Sequence, residues 1–300
     1  MISFGILGTL MQATSLINLP GTLFGTNREA LRVQDLERVL RFDQAETVIH
    51  RNNLHTHMLR VAYLSTDLAK HLLTNYDLKV DPNKTKRLAQ YHDDPEVITG
   101  DIPTPIKYSM KPHELLELRK AEEEAVRALA NRYFGINPLS KKRRQYLQDQ
   151  YDMTKKETNE ARVVNIADKI EGLCETIHEV RCGNQVFDQI LNNYRSFFRS
   201  FIPKEPFFEL VNADPIYRVT MEIIPTVDEA INLQQIKLAD FQTDQDIFWS
   251  KVFDKNLPGF YKQWLYVSAT KFSKQSIFPG WKKEIGNSKP SATILEGFLQ

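Results

Sequence analysis

The chain has 300 residues, 42% of them hydrophobic and 26% charged, with 12 Gly and 14 Pro. That composition is that of a folded soluble protein and excludes a disordered or fibrous one, and the length admits one large domain or a domain with a substantial appendage. A formal net charge of +1 argues neither for nor against a polyanionic partner. The two cysteines, Cys174 and Cys182, are too few for a disulfide framework and lack zinc-finger spacing, so a reducing cytoplasm is the simple setting.

The first nineteen residues, MISFGILGTLMQATSLINL, are apolar but have no basic start. Gln12, Thr14, Ser15 and Asn18 interrupt the run before the roughly 20 residues that a membrane span needs. Residues 1–26 are therefore expected to be a buried N-terminal segment, with no membrane anchor. Asn27 to Leu40 predicts a helix with Ala30, Leu31, Val33, Leu36, Val39 and Leu40 on one side. In HTHMLRVAYLSTDLAKHLL, Met58, Leu59, Ala62, Leu64, Leu68, Leu72 and Leu73 recur at near-helical spacing, which puts His57 at the start of an amphipathic helix.

Asn75 to Lys86 is a polar break, followed by a short helix carrying His92. Ile102-Pro103 and Thr104-Pro105 then predict a rigid loop, since each proline pushes its predecessor into an extended conformation. His113 to Phe134 is a strong amphipathic helix, Ser140 to Asp152 another, and ARVVNIADKIEGLCETIHEV sets Asp168 on a third beside an apolar stripe. Lys141 to Arg144 (KKRR) is expected to be a solvated helix start instead of a nucleic-acid patch. No sheet-like alternation and no internal repeat is visible. Pro203 and Pro206 suggest a boundary near residue 200, beyond which Tyr217 to Ile224 suits either a strand or a short buried helix.

Tyr91 to Tyr108 reads YHDDPEVITGDIPTPIKY, with His92 and Asp93 adjacent, Glu96 one helical turn on and Asp101 after a glycine. That is the composition of a metal-dependent hydrolytic site. His57 and Asp168 stand on helices able to supply further ligands, and an acid beside an apolar stripe is costly to bury unless something pairs with it. Two imidazoles and two carboxylates suit Mn²⁺, Co²⁺, Fe²⁺, Ni²⁺ or Zn²⁺ better than Ca²⁺ or Mg²⁺, whose sites are usually all oxygen. One such ion lowers the pKa of a bound water and neutralises a phosphoryl group.

On a helix, Glu96 projects on the same face as His92 and Asp93, where it can orient or deprotonate the attacking water or protonate the leaving oxygen. Asp94 points elsewhere by about 100° and is expected to be a solvated or helix-terminal charge. Arg41 is the candidate phosphate clamp, because its guanidinium offers a fork of donors to two phosphoryl oxygens. Lys107 is placed to add positive potential at the mouth of the site, and the remaining histidines are expected to be structural or exposed.

The order His57, His92-Asp93, Asp168 resembles the H…HD…D signature of the HD superfamily of metal-dependent phosphohydrolases. YHDDPEVITGDIPTPIKY closely resembles the corresponding stretch of that superfamily's bacterial 5′-deoxynucleotidases, His57-Met-Leu-Arg-Val-Ala resembles their first-ligand helix, and Cys182 to Asn184 (CGN) matches their end-of-helix segment. The resemblance runs from about Arg41 to Asn184. It implies an all-α HD-domain helical bundle over residues 27–199; residues 200–300, which the resemblance does not reach, are expected from their own sequence to be a mainly helical C-terminal extension.

It further implies one divalent transition metal on His57, His92, Asp93 and Asp168, with Glu96 catalytic. Asp101, Ile102, Pro103 and Thr104 match the substrate-binding loop, with Asp101 accepting a hydrogen bond from a sugar 3′-hydroxyl. The family has an Arg-Trp pair before the first histidine, and its tryptophan helps exclude a ribose 2′-hydroxyl. This chain has Arg41-Phe42, shifted by about one residue, and phenylalanine is smaller and has no N–H.

The implied activity is release of phosphate from nucleoside 5′-monophosphates, the deoxynucleotides first, by an enzyme that tends to dimerise. Two rivals are a dNTP triphosphohydrolase of the same superfamily and a nucleotide-binding regulatory protein with a partner-binding C-terminal region. Lys251 to Pro290 interleaves eight lysines with aromatic residues, a pattern that can form a stacking groove for single-stranded nucleic acid. Core aromatics with lysines solvating the outside are the preferred reading.

Overall fold

Helices account for the architecture of this computed structural model, which describes residues 28–42, 45, 47, 52–200, 214–216, 218 and 264. Among the described residues there is no strand, and Leu40 and Asn53 pair as an isolated antiparallel bridge. The expectations for residues 1–26, for Pro203 and Pro206, for nearly all of Tyr217 to Ile224 and for the lysine-rich stretch apart from Trp264 fall outside the described residues. No helix among those described is long and apolar enough to cross a membrane.

The chain divides into two compact units. The first takes Met1–Gln44, Arg51–Met58 and Arg87–Lys156. Its core gathers Leu36 from α1 (Arg28–Glu37), Leu54 and Met58 from the start of α2 (Leu54–Tyr76) and Val97 from α4 (Glu96–Thr99). Leu129, Ala130 and Tyr133 of α6 (Pro112–Phe134) and Tyr146 of α7 (Lys141–Lys155) complete it. Each fully buried leucine contributes about 1.5–3 kcal/mol, so the spacing of apolar residues along these helices is enough to choose the packed faces. Local signals set the ends: Pro112 opens α6 with the Glu114 carboxylate accepting from the Lys111 backbone N–H at 2.7 Å, and the Ser140 hydroxyl caps α7.

Two loop expectations need correction. The polar break is shorter than Asn75 to Lys86, because α3 (Pro82–Tyr91) starts inside it. Asp81 caps it by accepting from the Asn83 N–H at 2.8 Å, and Pro82 at the first helical position has its φ already set. Likewise α5 (Thr104–Ser109) begins where a rigid extended loop is expected; Pro105 sits at its second position, where a missing N–H breaks no helical bond.

The second unit comprises Ala45–His50, Leu59–Lys86 and Glu157–Gln300. Its helix α8 (Asn159–Arg181) is capped by Thr158 and is buried around its whole circumference from Ile170 to Glu179. Gly183, at φ 89°, terminates it: its N–H bonds to the Val180 carbonyl at 2.9 Å and that of Asn184 to Glu179 at 3.0 Å, a left-handed stop that glycine adopts without strain. A 3₁₀ turn (Gln185–Phe187) leads into α9 (Asp188–Arg199), and the Tyr194 hydroxyl approaches Gly172 so closely that a Cβ there would lie 1.9 Å from it. Inside this unit Glu171 accepts from Arg60 and from the Trp264 indole N–H, each at 3.4 Å, while the guanidinium lies 4.9 Å from the Trp264 ring centre.

Candidate metal centre

The two residues with the strongest sequence signal, His92 and Asp93, lie in a turn and not on a helix. α3 stops at Tyr91, since Pro95 has no N–H to continue the ladder. The chain tightens instead: Asp94 N bonds to Tyr91 O at 3.1 Å, Glu96 N to Asp93 O at 2.9 Å and Val97 N to Asp94 O at 3.0 Å. Helical proximity of Glu96 to His92 and Asp93 thus survives without a continuous helix.

His57 occupies the first turn of α2 and is fully buried. Its Nε2 lies 3.3 Å from Asp93 Oδ2, and His92 Nε2 lies 3.1 Å from the same oxygen. The two imidazoles are tilted by 51° with ring centres 5.4 Å apart. His92 Nδ1 faces the Ala89 carbonyl at 2.8 Å, and a carbonyl only accepts, so Nδ1 carries a proton and the lone pair of the neutral ring is on Nε2.

Two such nitrogens around a carboxylate oxygen fit a divalent cation. Ligand atoms at about 2.1 Å from one ion and roughly at right angles to each other are about 3 Å apart, which matches the 3.1 and 3.3 Å observed. The mixed nitrogen and oxygen donors match a first-row transition ion. Asp168 belongs to the second unit, half-buried on α8, with the Lys169 ammonium 2.7 Å from its Oδ2.

Glu96 opens α4, and its Oε2 is buried with no hydrogen-bond partner among the described residues. Burial, followed by the neighbouring Asp93 and Asp101 carboxylates, pushes Glu96 well above the ordinary glutamate range, against the opposing Lys107 and Arg41 cations. Lys107 is half-buried on α5 with Glu122 Oε1 at 3.5 Å; burial alone would lower it, and Glu96, Glu122 and Asp93 together hold it above the usual lysine value. Arg41 is no surface arginine: it is 7% exposed, with Nη1 4.0 Å from Asp93 Oδ2 and its guanidinium carbon 5.4 Å from the centre of the Phe42 ring. Phe42 has φ 51°, in the turn after the Leu40–Asn53 bridge. Asp101, Ile102 and Pro103 form the segment after Gly100, each half-buried, and Thr104 is the first residue of α5.

One expectation is overturned. Asp94 is neither solvated nor a helix-terminal charge: its side chain is fully buried and paired with Arg32 at 2.6 Å. The angle argument correctly turns it away from Glu96, but what it turns toward is a guanidinium from α1. Arg32 and Gln150, which both touch this turn, carry no motif. The available signal for Arg32 is its position four residues before the buried Leu36, which places a cation on the apolar face of α1.

The comparisons with known proteins agree with this geometry. The sequence model of the family described as "5′-deoxynucleotidase YfbR-like" matches residues 31–205, more than half of the chain. A 5′-deoxynucleotidase of Vibrio cholerae is 28% identical over 176 residues, covering 59% of this chain and 87% of the relative. One from Pasteurella multocida is 32% identical over 139 residues, covering 46% and 68% respectively. Among solved structures, an HD-domain phosphohydrolase from Listeria innocua superposes with a TM-score of 0.54 at 19% identity over 75% of this chain and 98% of its own, a likeness of fold. With a family model covering that span and the HD-type helical fold beneath it, the chain belongs to the YfbR-like 5′-deoxynucleotidase family.

Proposed function

We propose that the protein is a metal-dependent phosphomonoesterase that releases phosphate from nucleoside 5′-monophosphates, deoxynucleotides above all. In this reading His57, His92, Asp93 and Asp168 hold one Mn²⁺, Co²⁺, Fe²⁺, Ni²⁺ or Zn²⁺, ions suited to mixed nitrogen and oxygen donors. The observation that carries it is the convergence of His57 Nε2 and His92 Nε2 on Asp93 Oδ2, with the buried Oε2 of Glu96 three residues on. Membership of a family whose named relatives are 5′-deoxynucleotidases supports the substrate class.

A divalent ion bound there supplies Lewis-acid stabilisation of the phosphoryl charge and a lowered pKa for the attacking water. Glu96 accepts the proton of that water as its oxygen bonds to phosphorus, and returns it to the 5′-oxygen as the P–O5′ bond breaks, so nucleoside and phosphate leave with no net change on the enzyme. Burial and the Asp93 and Asp101 carboxylates raise the Glu96 carboxyl above the ordinary glutamate range, which makes it a stronger proton acceptor than an exposed glutamate. Arg41, buried beside Asp93, reaches toward the phosphoryl oxygens. Phe42 and the segment Asp101, Ile102, Pro103, Thr104 take the sugar, Asp101 accepting from its 3′-hydroxyl. Residues 27–199 are the catalytic domain and 200–300 an extension to it, in a cytoplasmic enzyme that pairs as a homodimer.

The test is a phosphate-release panel of dNMPs, NMPs and dNTPs with Mn²⁺, Co²⁺, Mg²⁺ and Zn²⁺, run with Asp168→Ala alongside. Orthophosphate from dNMPs, lost together with bound metal in Asp168→Ala, is the expected result. Tripolyphosphate from dNTPs would move the assignment to a triphosphohydrolase, and nucleotide binding without turnover to a regulatory protein.

A further inference from the structure

We propose that Arg32, assisted by Gln150, is a positioning residue that sets the turn bearing His92 and Asp93, and so tunes both metal affinity and turnover; this rests on the reading that those two residues are metal ligands. The last carbonyls of a helix have no partner within it. At the end of α3, three consecutive ones are taken by side chains. Ala89 O accepts from His92 Nδ1 at 2.8 Å, Gln90 O from Arg32 Nη2, and Tyr91 O from Gln150 Nε2. Arg32 does more than neutralise the helix end. Its Nε reaches both Asp94 oxygens at 3.0 and 3.2 Å, its Nη2 reaches Oδ1 at 2.6 Å, and the guanidinium carbon lies 4.6 Å from the Tyr91 ring centre.

One side chain therefore grips residues 90, 91 and 94, on both sides of His92 and Asp93. A rotation of the turn that displaced the Asp93 carboxylate from the two imidazoles would have to break the fork on Asp94 and the bond to Gln90 together. The pair is also buried, with the Arg32 side chain 7% and that of Asp94 0% exposed. A buried ion pair is weak evidence for stability, since packed apolar side chains of similar volume often do as well. What apolar residues cannot supply is a directional hold on a carbonyl and a carboxylate at once, and a metal ligand needs its orientation fixed by such outer contacts. Lysine keeps the charge but has no planar fork, so Arg32→Lys separates geometry from electrostatics.

The full-length chain is titrated with Co²⁺, following the visible absorption spectrum, and assayed for phosphate release from a dNMP at saturating Co²⁺. Arg32→Lys, Arg32→Met and Gln150→Leu are compared with Arg132→Met, which breaks the 2.8 Å pair with Asp35 in the same unit without touching the turn. Arg32→Lys is expected to weaken Co²⁺ binding about 10–100-fold, to alter the cobalt spectrum and to lower kcat with KM nearly unchanged. Gln150→Leu should do the same to a smaller degree, while Arg132→Met lowers the melting temperature only. If Arg32→Met does not fold, Arg32→Lys and Gln150→Leu decide. Cobalt spectra and affinities like the wild type's in the Arg32→Lys and Gln150→Leu proteins, with only the melting temperature reduced, overturn the positioning role. A wild-type protein that neither binds Co²⁺ nor releases phosphate overturns the metal-site reading itself, so the two failures are told apart by the wild-type arm.

Discussion

Asp93 and Asp94 are adjacent and chemically identical, yet the two faces of their turn solve opposite problems. On one face Asp93 sits among His57, His92 and Arg41, with Glu96 and Asp101 close enough to disfavour further negative charge. On the other, Asp94 is fully enclosed and matched by a guanidinium, which its carboxylate holds above its usual pKa against the lowering effect of burial. The first face concentrates donors and like charges that a further cation would relieve; on the second, Arg32 opposes the burial that still raises the Asp94 carboxyl. In the proposed reading, function is concentrated where charge compensation is left to a ligand, and the neighbouring Arg32–Asp94 pair holds the turn in shape.

The largest expected effect tests the uncompensated face. Glu96→Gln preserves size and removes proton transfer, so kcat should fall about 10²–10⁴-fold. Metal content, measured on the same sample by atomic emission, should stay at the wild-type level. A variant with near-normal rates on every nucleotide would remove Glu96 from the mechanism.

The compensated face predicts the reverse pattern. Asp94→Ala leaves the Arg32 guanidinium buried without its carboxylate, which costs about 3–5 kcal/mol of stability. Denaturant unfolding of the metal-free protein measures it, and the double variant Arg32→Met with Asp94→Ala should recover much of the loss because no isolated charge remains. If the single and double variants were equally destabilised, the charge would not be the cause.

These two faces were unequally legible in the sequence. The all-α class followed from apolar spacing, and the helices around His57, through His113 to Phe134 and around Asp168 were read within a few residues of their ends. His92, Asp93 and Glu96 stood out as a cluster, and the family resemblance connected them with His57 and Asp168. The pairing of Asp94 is invisible in the sequence because its partner comes from 62 residues earlier, and a long-range ion pair leaves no local periodicity. The Pro82 and Pro105 helix starts are ambiguous in the sequence for a local reason, since a proline ends a helix or opens one according to its neighbours.

A smaller effect belongs to Arg41, whose fork is the feature under test. Arg41→Lys keeps the charge and loses the paired donors, so KM for a dNMP should rise about tenfold, equivalent to roughly 1.4 kcal/mol, with kcat less affected. Steady-state kinetics over a substrate series checks it, and an unchanged KM would leave Arg41 as a partner of Asp93 and Phe42 alone.

The smallest effect is in stability, and its sign separates the two faces once more. Glu96 has its folded-state pKa raised above the unfolded value of about 4.3, so between those values the folded state holds more proton than the unfolded one. Stability from this group is thus present at low pH and is lost as pH rises through the raised folded pKa. Glu96→Gln removes that loss. In chelator-treated protein its melting temperature should equal the wild type's near pH 4 and exceed it by a margin that grows with pH. A bound divalent cation favours the carboxylate, so adding Mn²⁺ should shrink the margin. Parallel melting curves for the two proteins across the pH range would show that the crowding of Asp93, Glu96 and Asp101 leaves no unrelieved charge, and that the two faces of the turn do not differ as argued.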